Sequence, residues 1–126
     1  MSTVLIVEDN DKNMKLVRDI LQFEGHDTLE ATNGAEGVAL ATGHRPDLIL
    51  MDIQLPDIDG AEALRRIRSD RALDATPILA VSASVMPDEK QKVIHSGFDA
   101  FITKPIDLKL FRATVKRFLA QGWRGE

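Results

Sequence analysis

The sequence contains no cysteine. Disulfides, cysteine nucleophiles and thiolate metal sites are excluded together. Positive charge is not in excess either: 16 Lys and Arg stand against 20 Asp and Glu, a net charge of −4. That excludes a protein held on nucleic acid by bulk charge, though not a local basic patch, and direct nucleic-acid binding is not expected. Long apolar runs are missing. The longest early run, residues 4–7, is far short of a signal core or a membrane span, and the start carries no positive region. No membrane span is expected, and the reducing cytoplasm is the expected compartment. Solenoid-period repeats and low-complexity tracts are also absent.

What is present is one domain's worth of chain. A 126-residue sequence that is 44% hydrophobic and 29% charged is not a disordered one. A chain of this size buries about two-thirds of its extended surface, enough for a core without metal or disulfide support. One domain is expected over residues 1–121, with a short tail at 122–126 and no output domain.

Strand-like and helix-like segments alternate. Residues 4–7 and 48–51 are short, apolar and β-branched or leucine-rich, and read as strands buried on both faces. Met14, Val17, Ile20 and Leu21 recur at helical spacing until Gly25 stops them. Residues 27–31 form a weaker, more polar strand. Asn33 then caps a helix with Glu36 as capping-box partner, unless Asn33-Gly34 turns a hairpin instead. A helix over 60–70 buries Ala63, Leu64 and Ile67. A strand over 77–81 begins at Pro77, a charged helix spans 87–96, and a short strand spans 100–102. Leu108, Phe111, Val115, Phe118 and Leu119 share one face of a last helix. Five strands and five helices in alternation make an α/β fold, a doubly wound parallel sheet with right-handed crossovers, and its common strand order is 2-1-3-4-5. Functional sites in such sheets lie at the carboxyl ends of the strands, where the winding reverses.

Acidic residues fall at that edge: Glu8 and Asp9 after the first strand, Asp52 after the third. Like charges in close quarters raise one another's pKa or require a cation. With no Cys and no nearby His, oxygen donors suit a hard divalent ion, most naturally Mg²⁺. Ser82 follows the fourth strand and Lys104 the fifth. A hydroxyl and an ammonium beside a carboxylate–metal cluster fit a docking dianion. Taken singly, Ser82 is a helix-cap candidate and Lys104 a surface cation. The Lys104–Pro105 peptide is open between a cis bond, which bends the chain, and a trans bond with Pro105 starting a helix.

At this point the chain resembles a known family. Val4-Leu5-Ile6-Val7-Glu8-Asp9-Asn10, Leu48-Ile49-Leu50-Met51-Asp52-Ile53-Gln54-Leu55-Pro56, Val81-Ser82-Ala83 and Thr103-Lys104-Pro105 resemble, in order, the motifs of the receiver domains of bacterial two-component response regulators. The fold of that family is flavodoxin-like, or CheY-like. Residues 7–16 and 51–56 are further similar to the DivK-type single-domain regulators of cell-cycle phosphorelays. The resemblance implies that Asp52 accepts a phosphoryl group. It implies Mg²⁺ held by Asp9, Asp52 and the Gln54 backbone carbonyl, with Glu8 acting through water. Ser82 and Lys104 would hold phosphoryl oxygens, and Phe101 would stand at the aromatic switch position. Two residues depart from the common pattern, Ser82 for Thr and Phe101 for Tyr.

The implied partners are a sensor histidine kinase or histidine phosphotransferase as donor. The reader would be a downstream kinase or adaptor on the face made by helix 87–96, strand five and the last helix. A new dianion at Asp52 would draw Ser82 inward and let Phe101 rotate into the space, a shift between two packings. The rivals are an aspartate-phosphate phosphohydrolase, a phosphorylation-independent binding module and a flavin-binding protein. The first usually carries a second carboxylate two residues after its nucleophile, where this chain has Gln54; the last needs a phosphate-cradling loop that the acidic segment after Val7 does not supply. Lys109, Arg112 and Lys116, like Arg65, Arg66 and Arg68, are read as solvated helix faces. His26, His44 and His95 are read as surface residues, and Met86 and Trp123 as packing or tail residues.

Overall fold

Parallel strands hidden on both faces must be apolar throughout, and the apolar segments become the interior strands of the sheet. In the computed structural model, which describes residues 2–82 and 97–120, the chain runs β1 (Thr3–Val7), α1 (Asp11–Phe23), β2 (Asp27–Ala31), α2 (Gly34–His44), β3 (Leu48–Asp52), α3 (Gly60–Arg68), β4 (Ile78–Ser82), β5 (Ala100–Thr103) and α4 (Leu108–Ala120). The sheet is wholly parallel in the order β2-β1-β3-β4-β5. That is the expected doubly wound arrangement. The helix expected at 87–96, with Met86 and His95, lies outside the described residues, as do Trp123 and the tail. Four helices and one 3₁₀ turn are therefore described.

Alternation sorts each strand between two cores. Val4, Ile6, Leu48, Leu50, Leu79, Val81 and Ile102 face α1 and α4, where Met14, Val17, Leu21, Phe111, Val115 and Phe118 close over them. Leu5, Val7, Ile49, Met51, Ile78 and Ala80 face the other way, onto Ala41, Ala63, Leu64 and Ile67 of α2 and α3. Both central strands β3 and β4 are buried from end to end.

The helix ends follow their local chemistry. Asn10, Asn33 and Asp59 cap α1, α2 and α3, each accepting from the N–H three residues on. Asn33 opens a helix, so the hairpin alternative falls, and Glu36 reaches back to the N–H of Thr32 at 2.9 Å. α3 is two residues shorter than its sequence suggests. It ends at Arg68, and a 3₁₀ turn over Arg71–Leu73 follows, delivering Leu73 fully buried into the α2/α3 core.

Two surface readings and one apolar-face reading need correction. Arg68 does not belong to a solvated face: its guanidinium donates to the carbonyls of Leu73 and Thr76 and to Asp99 Oδ2 at 3.0 Å, tying α3 to the start of β5. His26 is half-buried, with Nδ1 shielded from solvent and unpaired among the described residues. Leu108, expected on the apolar face of the last helix, sits in its first turn and is 52% exposed. Arg112 is exposed as read, and bonds Glu24 at the end of α1.

Candidate functional site

Four strand ends build the candidate site. Beyond the last paired residues, backbone bonds carry the register one step further. Glu8 N–H donates to the Ala31 carbonyl, Ile53 N–H to Val81, and Lys104 N–H to Ser82 at 2.7 Å. The residues just past β1 and β5 are therefore held as firmly as those inside them.

Strand parity decides which side chains meet. Glu8 follows Val4 and Ile6 at even spacing, Asp52 follows Leu48 and Leu50, and Lys104 follows Ile102; all three continue the α1/α4 side of the sheet. Lys104 Nζ accordingly lies 2.6 Å from Glu8 Oε1 and 3.0 Å from Asp52 Oδ2. Ser82 follows Ile78 and Ala80 on the opposite side, together with Phe101, which pairs with Ala80 in the ladder. Ser82 Oγ is buried and has no hydrogen-bond partner among the described residues. Of the five polar groups expected at this edge, three are joined by direct bonds; Asp9 stands beside them and Ser82 comes from the other side.

Glu8 and Asp52 are buried, Asp9 is exposed. One carboxylate oxygen from each of the three lies within 4.8 Å of the others. A set of hard, anionic oxygens at that separation, with an open side at Asp9, fits a divalent cation of the Mg²⁺ class. Asp52 Oδ1 accepts from the Gln54 N–H at 2.8 Å, and Glu8 Oε2 from the Asn10 N–H at 3.2 Å. The first bond folds the chain after β3 back on the carboxylate and brings the Gln54 backbone beside the cluster.

The electrostatics follow from that crowding. Burial pushes the Glu8 carboxyl above its ordinary value. Asp52 beside it pushes the same way, and the Lys104 ammonium with the Asn10 N–H only partly offsets them. Burial works against the charge on Lys104, but its bonds to Glu8 and Asp52 outweigh burial and hold its pKa above the usual lysine range. The ammonium is thus a fixed cation shared by two carboxylates.

The Lys104–Pro105 peptide is cis, which resolves the alternative the sequence leaves open. Sequence reasoning missed the acid at position 57. Asp57, five residues beyond Asp52, bonds the first N–H groups of α2. The only signal for it was the absence of a local cap for those donors, because Asn33 takes the N–H of Glu36.

Known proteins are similar to this chain in sequence and in fold. The family model described as "Response regulator receiver domain" matches residues 4–116. The polar-differentiation response regulator DivK of Brucella anthropi is 44% identical over 117 residues, covering 93% of this chain and 95% of that protein. Among solved structures, a putative response regulator from Chloroflexus aurantiacus superposes with a TM-score of 0.89 at 28% identity, over 95% of this chain and 98% of that one. The receiver domain of the sensor histidine kinase PA1611 from Pseudomonas aeruginosa, solved with magnesium coordinated in its active-site cleft, gives 0.88 at 28% identity, over 95% and 98% of the two chains. No helix among the described residues is long and apolar enough to cross a membrane. With the sheet order, the acidic cluster and the family match in agreement, this chain belongs to the response regulator receiver domain family.

Proposed function

We propose that this receiver takes a phosphoryl group onto Asp52 from the phosphohistidine of a sensor histidine kinase or histidine phosphotransferase. The observation that carries the reading is the Lys104 ammonium bridging Glu8 and Asp52 at 2.6 and 3.0 Å within a three-carboxylate cluster. An Asp52 oxygen attacks phosphorus, and the P–N bond of the donor breaks. The electron pair stays on the imidazole nitrogen, which takes up a proton from solvent, and the new P–O bond leaves an acyl phosphate. Because the transferring group is loose and metaphosphate-like, placement and charge neutralisation govern the rate.

The residues divide that work. The Gln54 N–H fixes one Asp52 oxygen and so orients the other. Lys104 already sits on that other oxygen, where its ammonium would neutralise an arriving phosphoryl oxygen. Ser82 supplies a buried hydroxyl that has no hydrogen-bond partner among the described residues. Asp9, Asp52 and the Gln54 carbonyl would hold Mg²⁺ directly, and Glu8 through water. When bound, the cation screens the carboxylates from the incoming phosphate. The chain catalyses only its own labelling and a slow hydrolysis of the acyl phosphate.

The Brucella regulator is named for polar differentiation, and likeness over nearly its whole length supports a DivK-type role in a cell-cycle phosphorelay. Output would pass by contact to a kinase or adaptor on the face carrying β5 and α4. Phe101, half-buried on the Ser82 side of the sheet, is the residue that would report the phosphorylated state.

Incubating the protein with a small acyl phosphate tests the reading. With Mg²⁺ the intact mass should rise by one phosphoryl group, and with chelator it should not. Labelling indifferent to Mg²⁺, or none at all, would overturn it. Ser82→Ala adds a second check with opposite signs. Removing a buried hydroxyl that has no partner among the described residues should leave thermal stability unchanged or raise it by up to about 1 kcal/mol. Labelling should slow roughly tenfold or more, because a donor to the transferring group is gone. A variant that labels at the parent rate would remove Ser82 from the site.

A further inference from the structure

Asp57 binds a part of the fold that the phosphoacceptor reading does not use. It lies in the loop between β3 and α3, and its two oxygens accept from Gly34 N–H at 2.7 Å and Ala35 N–H at 2.9 Å. These are the leading donors of α2, which have no partner within their own helix. The bonds are sufficient to hold the Asp57 carboxyl below the usual aspartate range, the Ala35 N–H contributing most. Beside them, Ile58 packs on Gly34 so closely that a Cβ there would lie 2.4 Å from Ile58 Cγ1. The other end of the loop is fastened at Ile53, whose N–H donates to Val81 and whose carbonyl accepts from Gly60 N–H, both at 3.1 Å.

Gln54 sits just inside the first fastening, with only Leu55 and Pro56 before the second. A backbone carbonyl has no rotamer of its own; the peptide planes on either side set its direction. Pro56 has a fixed φ, so holding residue 57 leaves little freedom to turn the Gln54 plane. We propose that Asp57 is a positioning residue for the cation: by pinning the β3–α3 loop to the start of α2, it holds the Gln54 carbonyl aimed at an ion on Asp9 and Asp52. This rests on the reading of Gln54 as a Mg²⁺ ligand. The logic is that of outer groups that orient metal ligands, applied to a main-chain ligand.

A titration of MgCl₂ into the full chain, followed by the amide resonances of Asp52 and Gln54, separates the possibilities. Asp57→Ala should weaken Mg²⁺ about fivefold. Asp57→Asn keeps an oxygen for one of the two N–H groups and should lose less. Amide exchange at Gly34 and Ala35 should accelerate in the alanine variant. Removing a nearby negative charge would also weaken the ion, but that effect is screened by salt. The titration is therefore run at about 20 mM and about 500 mM NaCl, and the loss should persist at both. Parent-like affinity in Asp57→Ala, or a loss that vanishes at high salt, overturns the positioning role. If Asp57→Ala does not fold, Asp57→Asn and Asp57→Ser are compared in its place, and serine should bind Mg²⁺ less tightly than asparagine; equal affinities would overturn the role. Should the parent protein show no Mg²⁺-dependent shift at Asp52 and Gln54, it is the ligand reading itself that fails.

Discussion

Asp52→Asn protein, given an acyl phosphate and Mg²⁺, should gain no phosphoryl group, with labelling at least ~10³-fold below the parent. A carboxamide offers no anionic oxygen to attack phosphorus, so the loss is one of chemistry rather than of placement. The substitution is nearly isosteric, and the contacts bear on what else changes. The Gln54 N–H can still donate to the remaining carbonyl oxygen at Oδ1, so the turn after β3 should survive. The Lys104 ammonium loses one of its two acceptors and keeps Glu8 at 2.6 Å. Glu8 is freed of a buried like charge that helps to raise its pKa. Stability in metal-free buffer should therefore change little, and a thermal melt alongside the labelling assay separates a dead nucleophile from a misfolded chain. Intact-mass and peptide analysis then locate any residual label. Substantial labelling at Glu8 or Asp9 would move the acceptor off Asp52 and end the assignment.

Strand ends were legible because the apolar runs that define them stop abruptly at charged residues. β1 and β3 could be placed within a residue, and placing them fixed Glu8, Asp9 and Asp52 at one edge without any knowledge of contacts. Parity was legible too. Counting by twos from Val4, Leu48 and Ile102 puts Glu8, Asp52 and Lys104 on one side and Ser82 with Phe101 on the other. That separation explains why Ser82 stands apart from the bonds that join Lys104 to Glu8 and Asp52.

Long-range polar contacts were not legible. Arg68 sits in a helix with two other arginines and looks like a member of a solvated face, yet its partner Asp99 is 31 residues away and the pair is largely shielded from solvent. Asp57 likewise meets α2 across 23 residues. Periodicity sees neighbours along an element, and it has no access to a hydrogen bond made only once the elements have packed.

Lys104→Met should destabilise the metal-free protein by roughly 2–3 kcal/mol near neutral pH, with a dependence on acidity that identifies the cause. Methionine preserves most of the aliphatic stem, so packing loss is small. What disappears is the ammonium held by both Glu8 and Asp52, leaving two buried carboxylates facing each other. Breaking a fully buried pair costs about 3–5 kcal/mol, and the opening at exposed Asp9 admits water and reduces that figure. The signs can be worked from the two shifts. Lys104 titrates above its unfolded value, so its contribution is complete below the unfolded lysine pKa and is lost only as pH rises through the folded one. Glu8 also titrates above its unfolded value, and a carboxyl shifted that way destabilises the fold wherever it must be ionised. Without the ammonium, which now pulls it down, Glu8 should rise further. Acidifying from neutrality through that value protonates Glu8 and relieves the repulsion, so the gap between variant and parent should close toward mildly acidic pH. Mg²⁺ should close it as well, since a divalent cation supplies the missing charge, and should stabilise the variant more than the parent. Urea denaturation with chelator and with Mg²⁺, at neutral and mildly acidic pH, reads all of these. A variant as stable as the parent at neutral pH without metal would mean that the three side chains do not form the charged cluster from which the proposed chemistry follows.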